Sequence, residues 1–252
     1  MMILQDKVAI VTGGGGAIGR AVCRRLAEAG AKVAVFDRLK ECAEEVSTEL
    51  KNDGYTALPC AVDVTNYDIV SDAVKQVHKH FGRIDILVNC AGGSAREKMT
   101  EFHEQSIEVI HWMLNVNLFG ALHCIRAVSP YMVEAKQGNI VNVTSIVARR
   151  GATKCAEYGA AKGGIIAATK SLAMELGPHN VTINCVSPGR VERTPPEDEM
   201  EFARRHSVLN RICTQDDIAQ AVLFMVQPGA SYITGEDLAV DGGRSLGLKG
   251  SH

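Results

Sequence analysis

The chain predicts a doubly wound parallel α/β sheet, a three-layer single domain with helices on both faces of about seven strands. Three observations predict it. Short β-branched apolar runs alternate with helical stretches from end to end, as strands buried on both faces and joined by crossover helices do. The first apolar run enters four consecutive glycines and emerges as a helix. No Pro- or Ser-rich linker, repeat or low-complexity tract divides residues 1–252, so they are read as one domain.

The first strand, residues 7–12 (KVAIVT), has the apolar, β-branched character of a buried parallel strand. It runs into Gly13, Gly14, Gly15 and Gly16, then Ala17, Ile18 and Gly19. From Arg20 the pattern is helical, with Val22, Leu26 and Ala29 on one face. Strand, glycine turn and helix start make a phosphate cradle of the Rossmann type. Glycine lets the backbone approach a pyrophosphate, and first-turn N–H groups favour anions. The second strand, residues 32–36, ends at Asp37, eighteen residues after Gly19. A carboxylate there accepts hydrogen bonds from a ribose 2′-hydroxyl and repels a 2′-phosphate. Arg38 favours the phosphorylated cofactor, but the carboxylate before it and the absence of Lys or Arg between Gly13 and Gly19 make NAD the expected cofactor.

The strand at residues 139–144 ends at Ser145, and Tyr158 follows thirteen residues later. Tyr158 and Lys162 stand four apart and so share a helix face. A nearby ammonium favours phenolate and lowers a pKa that starts near ~10. Such a tyrosine can exchange a proton with an alcohol while hydride passes to or from a nicotinamide. With five tyrosines and twelve lysines in the chain the pair is weak alone, and its companions decide.

Those companions resemble the short-chain dehydrogenase/reductase family in its compact single-domain form, over some 240 residues. Thr12-Gly13-x-x-x-Ala17-x-Gly19 has that family's spacing, and it is preferred to the register Gly14-x-Gly16-x-x-Gly19 because everything downstream matches it. Asp63-Val64, Asn89-Cys90-Ala91-Gly92, Asn117-Leu118-Phe119-Gly120, Ser187-Pro188-Gly189, Tyr232-Ile233-Thr234-Gly235 and Val240-Asp241-Gly242-Gly243 follow in order. The resemblance implies adenine contacts at Asp63 and Val64, and cofactor contacts at Asn89, Ala91, Gly92, Pro188, Gly189, Val191 and Thr194, besides Gly13, Gly16, Ala17, Ile18, Gly19, Asp37 and Arg38. It implies a catalytic set: Asn117 positions a water that relays protons, Ser145 hydrogen-bonds the substrate oxygen and Tyr158 is the acid/base. Lys162 then assists Tyr158 and holds the nicotinamide ribose, so Tyr158 and Lys162 also touch the cofactor. It further implies a homotetramer built on two long helices and the carboxyl-terminal segment. Two departures stand out. Cys90 replaces the family's second asparagine, implying local repacking, and Arg193 takes the family's threonine position, with Thr194 one residue later.

The implied reaction is NAD-dependent interconversion of a secondary alcohol and a ketone on a small molecule, without a metal. A 3-oxoacyl-thioester reductase is the rival enzyme, and a catalytically silent nucleotide-sensing protein the rival of another class. A net charge of −2 with both signs scattered argues against nucleic acid or an anionic membrane as partner. The amino terminus is too soon charged for a signal peptide, no apolar run approaches the ~20 residues of a span, and the eight cysteines hold no C-x-x-C, so a reducing cytoplasm is expected. Glu108 and His111 have a metal-helix spacing without the second copy such sites need. Ser145 lacks the Gly-x-Ser-x-Gly elbow of a nucleophile.

Basic residues crowd the loops after the parallel strands, the side where such sheets bind ligands. Arg149, Arg190 and Arg193 are the best candidates for an anionic or polyhydroxylated substrate, with a short lid at about 190–210. The helix expected over residues 107–135 carries Leu114, Leu118, Leu122 and Ile125, apolar surface suited to assembly.

Overall fold

The computed structural model describes residues 2–94, 98–191 and 197–247. Seven parallel strands form one sheet in the order β3-β2-β1-β4-β5-β6-β7. They are β1 (Val8–Thr12), β2 (Lys32–Asp37), β3 (Ala57–Ala61), β4 (Ile86–Asn89), β5 (Gly138–Val143), β6 (Val181–Pro188) and β7 (Asp237–Val240). The helices are α1 (Ala17–Glu28), α2 (Lys40–Asn52), α3 (Tyr67–Phe81), α4 (Ile107–Leu114), α5 (Gly120–Ala135), α6 (Val147–Arg150), α7 (Ala156–Leu176), α8 (Glu199–His206) and α9 (Gln215–Val226).

Alternate residues along each strand feed two cores. Ala9, Val11, Val33, Val35 and Val141 pack with α1, α2 and α9, while Val8, Ile10, Ala34, Leu87 and Ile140 pack with α3, α5 and α7. Every side chain of β1 is buried, and each large one contributes about 1.5–3 kcal/mol of transfer free energy. The chain reverses direction across the sheet between β1 and β4, which opens a crevice at their carboxyl ends. Among the described residues no helix is long and apolar enough to cross a membrane.

Two expectations about residues 107–135 need correction. The helix is not uniform: α4 and α5 are joined by a π-helical turn, Asn115–Phe119, at whose centre lies Asn117. No proline or glycine precedes this turn, so nothing in the local sequence announces it. Ile125 is a core residue, 3% exposed, not assembly surface, whereas Leu114, Leu118 and Leu122 are half-buried and Trp112 and Phe119 exposed. The lid contains α8, whose amino terminus is capped by Asp198 accepting from Glu201 N.

Candidate active site

The glycine turn is fixed by its neighbours. Gly13 has φ +61°, and a Cβ there would lie 2.8 Å from the Ala91 Cα. A Cβ on Gly19 would fall 2.1 Å from the Gly13 carbonyl oxygen, so turn and helix meet backbone to backbone. Thr12 Oγ1 accepts from Ala91 N at 3.1 Å, tying the ends of β1 and β4 together. Gly16 caps α1, and the first main-chain donor to find its helical partner is Arg20 N, on Gly16 O at 2.8 Å. The N–H groups of Ala17, Ile18 and Gly19 thus stand at a helix start, suited to an anion. Asp37 closes the cradle: its Oδ2 accepts from Gly15 N and its Oδ1 from Leu39 N, each at 3.0 Å. The exposed Arg38 follows it.

Asp63 braces its own turn through Thr65, and the Val64 carbonyl accepts from His123 Nδ1 at 2.9 Å. Asn89 faces the sheet: its Nδ2 donates to Asn142 Oδ1 at 2.8 Å, and Asn142 Nδ2 donates to Thr169 Oγ1 at 3.0 Å on α7. Asn89 Oδ1 has no hydrogen-bond partner, a place for an ordered water. Cys90 is a partly buried thiol near Lys162, pushed up to about 12 by desolvation.

The catalytic candidates converge beyond β4 and β5. Asn117 is buried; its Nδ2 donates to Gly93 O at 2.9 Å and Met113 O at 3.0 Å, and its Oδ1 accepts from Gly93 N at 3.1 Å. A Cβ on Gly92 would lie 2.5 Å from Asn117 Oδ1 and 3.3 Å from Lys162 Nζ, so only glycine lets these two side chains meet the loop. Lys162 Nζ donates to Val143 O at 2.8 Å, and burial lowers its pKa to about 8. The same Nζ lies 6.0 Å from the centroid of the Tyr158 ring. Ser145, two residues beyond Val143, accepts from Val147 N at 3.2 Å, which leaves its hydroxyl hydrogen to donate elsewhere.

Gly189 and Val191 lead away from β6. Gly189 N donates to Val240 O, Ile146 N donates to Pro188 O, and Val191 bridges Cys213. Thr194 and Arg193 lie outside the described residues. Arg149 Nε pairs with the buried carboxylate of Asp237 at 3.3 Å, whose other oxygen accepts from Ser187 Oγ at 2.7 Å. Arg190 instead turns to α8, its Cζ 4.9 Å from the Phe202 ring centroid. Sequence reasoning named Thr12 as the start of the glycine motif without a role of its own, and missed Gly93 and Asp237. Gly93 sits beside a motif residue; Asp237 starts β7, and its partner is 88 positions away.

A doubly wound parallel sheet, a nucleotide-type cradle and a Ser/Tyr/Lys edge define an oxidoreductase fold. Residues 15–245 match a family model described as Enoyl-(Acyl carrier protein) reductase. The chain is 38% identical over 254 residues to the short-chain reductase protein NovJ of Streptomyces niveus, covering 96% of this chain and 95% of that protein. It is 37% identical over 250 residues to the (2S)-[(R)-hydroxy(phenyl)methyl]succinyl-CoA dehydrogenase subunit BbsD of Thauera aromatica, covering 97% and 99%. It also superposes on the structure titled NAD+-bound xylitol dehydrogenase with a TM-score of 0.89 at 30% identity, covering 95% of this chain and 99% of that one. The chain belongs to the short-chain dehydrogenase/reductase family and is an oxidoreductase by kinship.

Proposed function

We propose that this protein interconverts a secondary alcohol and a ketone with NAD(H), using Ser145, Tyr158 and Lys162 with Asn117 in support. The observation that carries the reading is the buried Lys162 ammonium, held by the Val143 carbonyl two residues before Ser145 and four residues after Tyr158 on α7. A cation with only main-chain oxygen on one side suits ribose hydroxyls and the phenol edge on the other. The cradle fits a dinucleotide: the turn at Gly13, the first-turn N–H groups of α1 and the carboxylate of Asp37 present donors and an acceptor in the order a pyrophosphate and a ribose require. A bound nicotinamide would supply the hydride acceptor or donor.

Ser145 donates its hydroxyl hydrogen to the substrate oxygen and orients it. Tyr158 takes the alcohol proton in oxidation and returns it in reduction. Both Nδ2 hydrogens of Asn117 are occupied by Gly93 O and Met113 O, so a relaying water meets this residue at an oxygen. Gly189 and Val191 border the nicotinamide end. Asp37 supports NAD over NADP, as does likeness to an NAD+-bound relative. Eight cysteines that form no disulfide fit the reducing cytoplasm, and Trp112 and Phe119, exposed on α4 and the π turn, support a homotetramer.

Turnover of polyols, cyclic alcohols, hydroxy acids and steroids, each with NAD+ and NADP+, tests the reading. Oxidation of a secondary alcohol with NAD+ is expected; no turnover with either cofactor across the panel would refute it. The second reading, a 3-oxoacyl-thioester reductase, is favoured by the carrier-protein reductase description of the family model and the CoA thioester in BbsD's name. Reduction of a 3-oxoacyl thioester with NADPH in the same assay would establish it.

A further inference from the structure

Asp237, at the start of β7, is 9% exposed, and its two oxygens serve different partners. Oδ1 accepts from Ser187 Oγ at 2.7 Å, while Oδ2 lies 3.3 Å from Arg149 Nε. A carboxylate has no hydrogen to give, so Ser187 donates its one hydroxyl hydrogen to Asp237 and can only accept from Thr144, whose Oγ1 is 2.8 Å away. The direction of the chain is thereby fixed: Thr144 to Ser187 to Asp237. Thr144 Oγ1 also stands 3.0 Å from Val186 O and 3.5 Å from Asp237 Oδ1, both acceptors.

Thr144 is the residue before Ser145, and Arg149 is the fourth after it. One carboxylate therefore grips the chain on both flanks of Ser145. Between the grips Ile146 N donates to Pro188 O at 3.1 Å, and Val147 N donates to Ser145 Oγ at 3.2 Å. Burying a charge is unfavourable unless it is paired and hydrogen-bonded, and well-packed apolar residues often stabilise a fold as well as a buried ion pair does. Stability is thus a weak account of Asp237. What a buried carboxylate supplies is direction, because hydrogen bonds to ionised groups are short and angle-dependent where apolar contacts are not. Direction is what a serine aiming its hydroxyl hydrogen at a substrate oxygen requires, since a misplacement of about 1 Å can cost about 10²-fold in rate.

We propose that Asp237 is a positioning residue for Ser145, acting through Ser187 and Thr144 on one flank and through Arg149 on the other. The inference deepens the oxidoreductase reading and rests on it for the role of Ser145; the restraint itself rests on geometry.

Two measurements test it, one of them independent of turnover. Hydrogen exchange is followed in the full-length wild type and in Asp237→Asn, which keeps the shape and removes the charge. The amides of Thr144, Ile146 and Val147 should exchange about tenfold faster or more in the variant, while those of β1 keep their rates. Thr144→Val and Arg149→Gln, which cut one flank each, should also loosen these amides. Turnover of an alcohol from the panel is then measured in a cycle with Ser145→Ala. Alone, Asp237→Asn should lower kcat about tenfold or more, with KM for NAD+ within about twofold of wild type. Added to Ser145→Ala, it should lower kcat by less than about twofold further, because the group it aims is gone. A residue that only stabilised the fold would lose the same factor in both backgrounds. Unchanged exchange at these three amides, or a full additive loss on Ser145→Ala, would overturn the proposal. If no alcohol is turned over, or Ser145→Ala is fully active, the catalytic reading falls by itself, and exchange alone upholds or overturns the restraint. Should Asp237→Asn fail to fold, Thr144→Val and Arg149→Gln carry both measurements.

Discussion

The carboxamide of Asn117 and the main chain of Gly93 clasp each other, with Gly93 N donating to Oδ1 at 3.1 Å and Nδ2 donating to Gly93 O at 2.9 Å. The clasp fastens the loop after β4 to the π turn. Asn117→Ala would leave buried donors and acceptors without partners, at ~1–3 kcal/mol for each group so stranded. Urea unfolding should show at least ~1 kcal/mol lost, with turnover falling as the loop loosens. A variant of unchanged stability would mean that water replaces the side chain.

The proposed NAD preference rests on Asp37. NADH should exceed NADPH by about tenfold or more in kcat/KM, a difference of roughly 1.4 kcal/mol. Asp37→Asn removes the charge yet keeps an oxygen for a neighbouring N–H, so it should narrow the gap with little loss of fold. Steady-state kinetics with both cofactors decides; a wild type that prefers NADPH would reverse the assignment.

Tyr158→Phe keeps the ring and removes the exchangeable proton. Turnover should fall by about 10²- to 10⁴-fold while NADH binding, read by fluorescence, persists. Near-normal turnover of a true substrate would take Tyr158 out of the mechanism.

Lys162 carries a pKa lowered by burial to about 8 from 10.5. Below about 8 it is charged and can donate to ribose hydroxyls; as pH rises through about 8 that donor weakens. NADH affinity should therefore be flat below pH 7 and decline above 8, and Lys162→Met should lose the dependence. Stability carries the opposite sign: between about 8 and 10.5 the unfolded chain binds more protons at this residue, so its contribution rises with pH.

Arg149 pairs with Asp237 and so ties α6, just after Ser145, to β7. Arg149→Ala should cost up to about 1 kcal/mol, since the arginine is partly exposed. It should lower turnover of neutral and anionic substrates alike. A selective rise in KM for the anionic ones would return Arg149 to substrate recognition.

The layered fold was legible because its signals are local. The runs that became β1 and β2, the glycines between them and Asp37 lie within 31 residues, and each states a backbone requirement by residue type. The Tyr158–Lys162 spacing survives because helical geometry is regular. The π turn at Asn117 was not legible, since it arises from packing against Gly93 and Val64 rather than from any helix breaker. Long pairs such as Arg149–Asp237 leave no mark at either end.

The seam between Thr12 and Ala91 gives the chemistry a chronology. Because Gly13 abuts the Ala91 backbone and Thr12 holds its N–H, whatever settles the pyrophosphate turn also settles the loop that leads through Gly92 to the Asn117 clasp. Occupancy at one end of the crevice becomes alignment at the other. If the cradle takes a dinucleotide as proposed, nucleotide is expected to bind first and leave last, and product-inhibition kinetics would check that order.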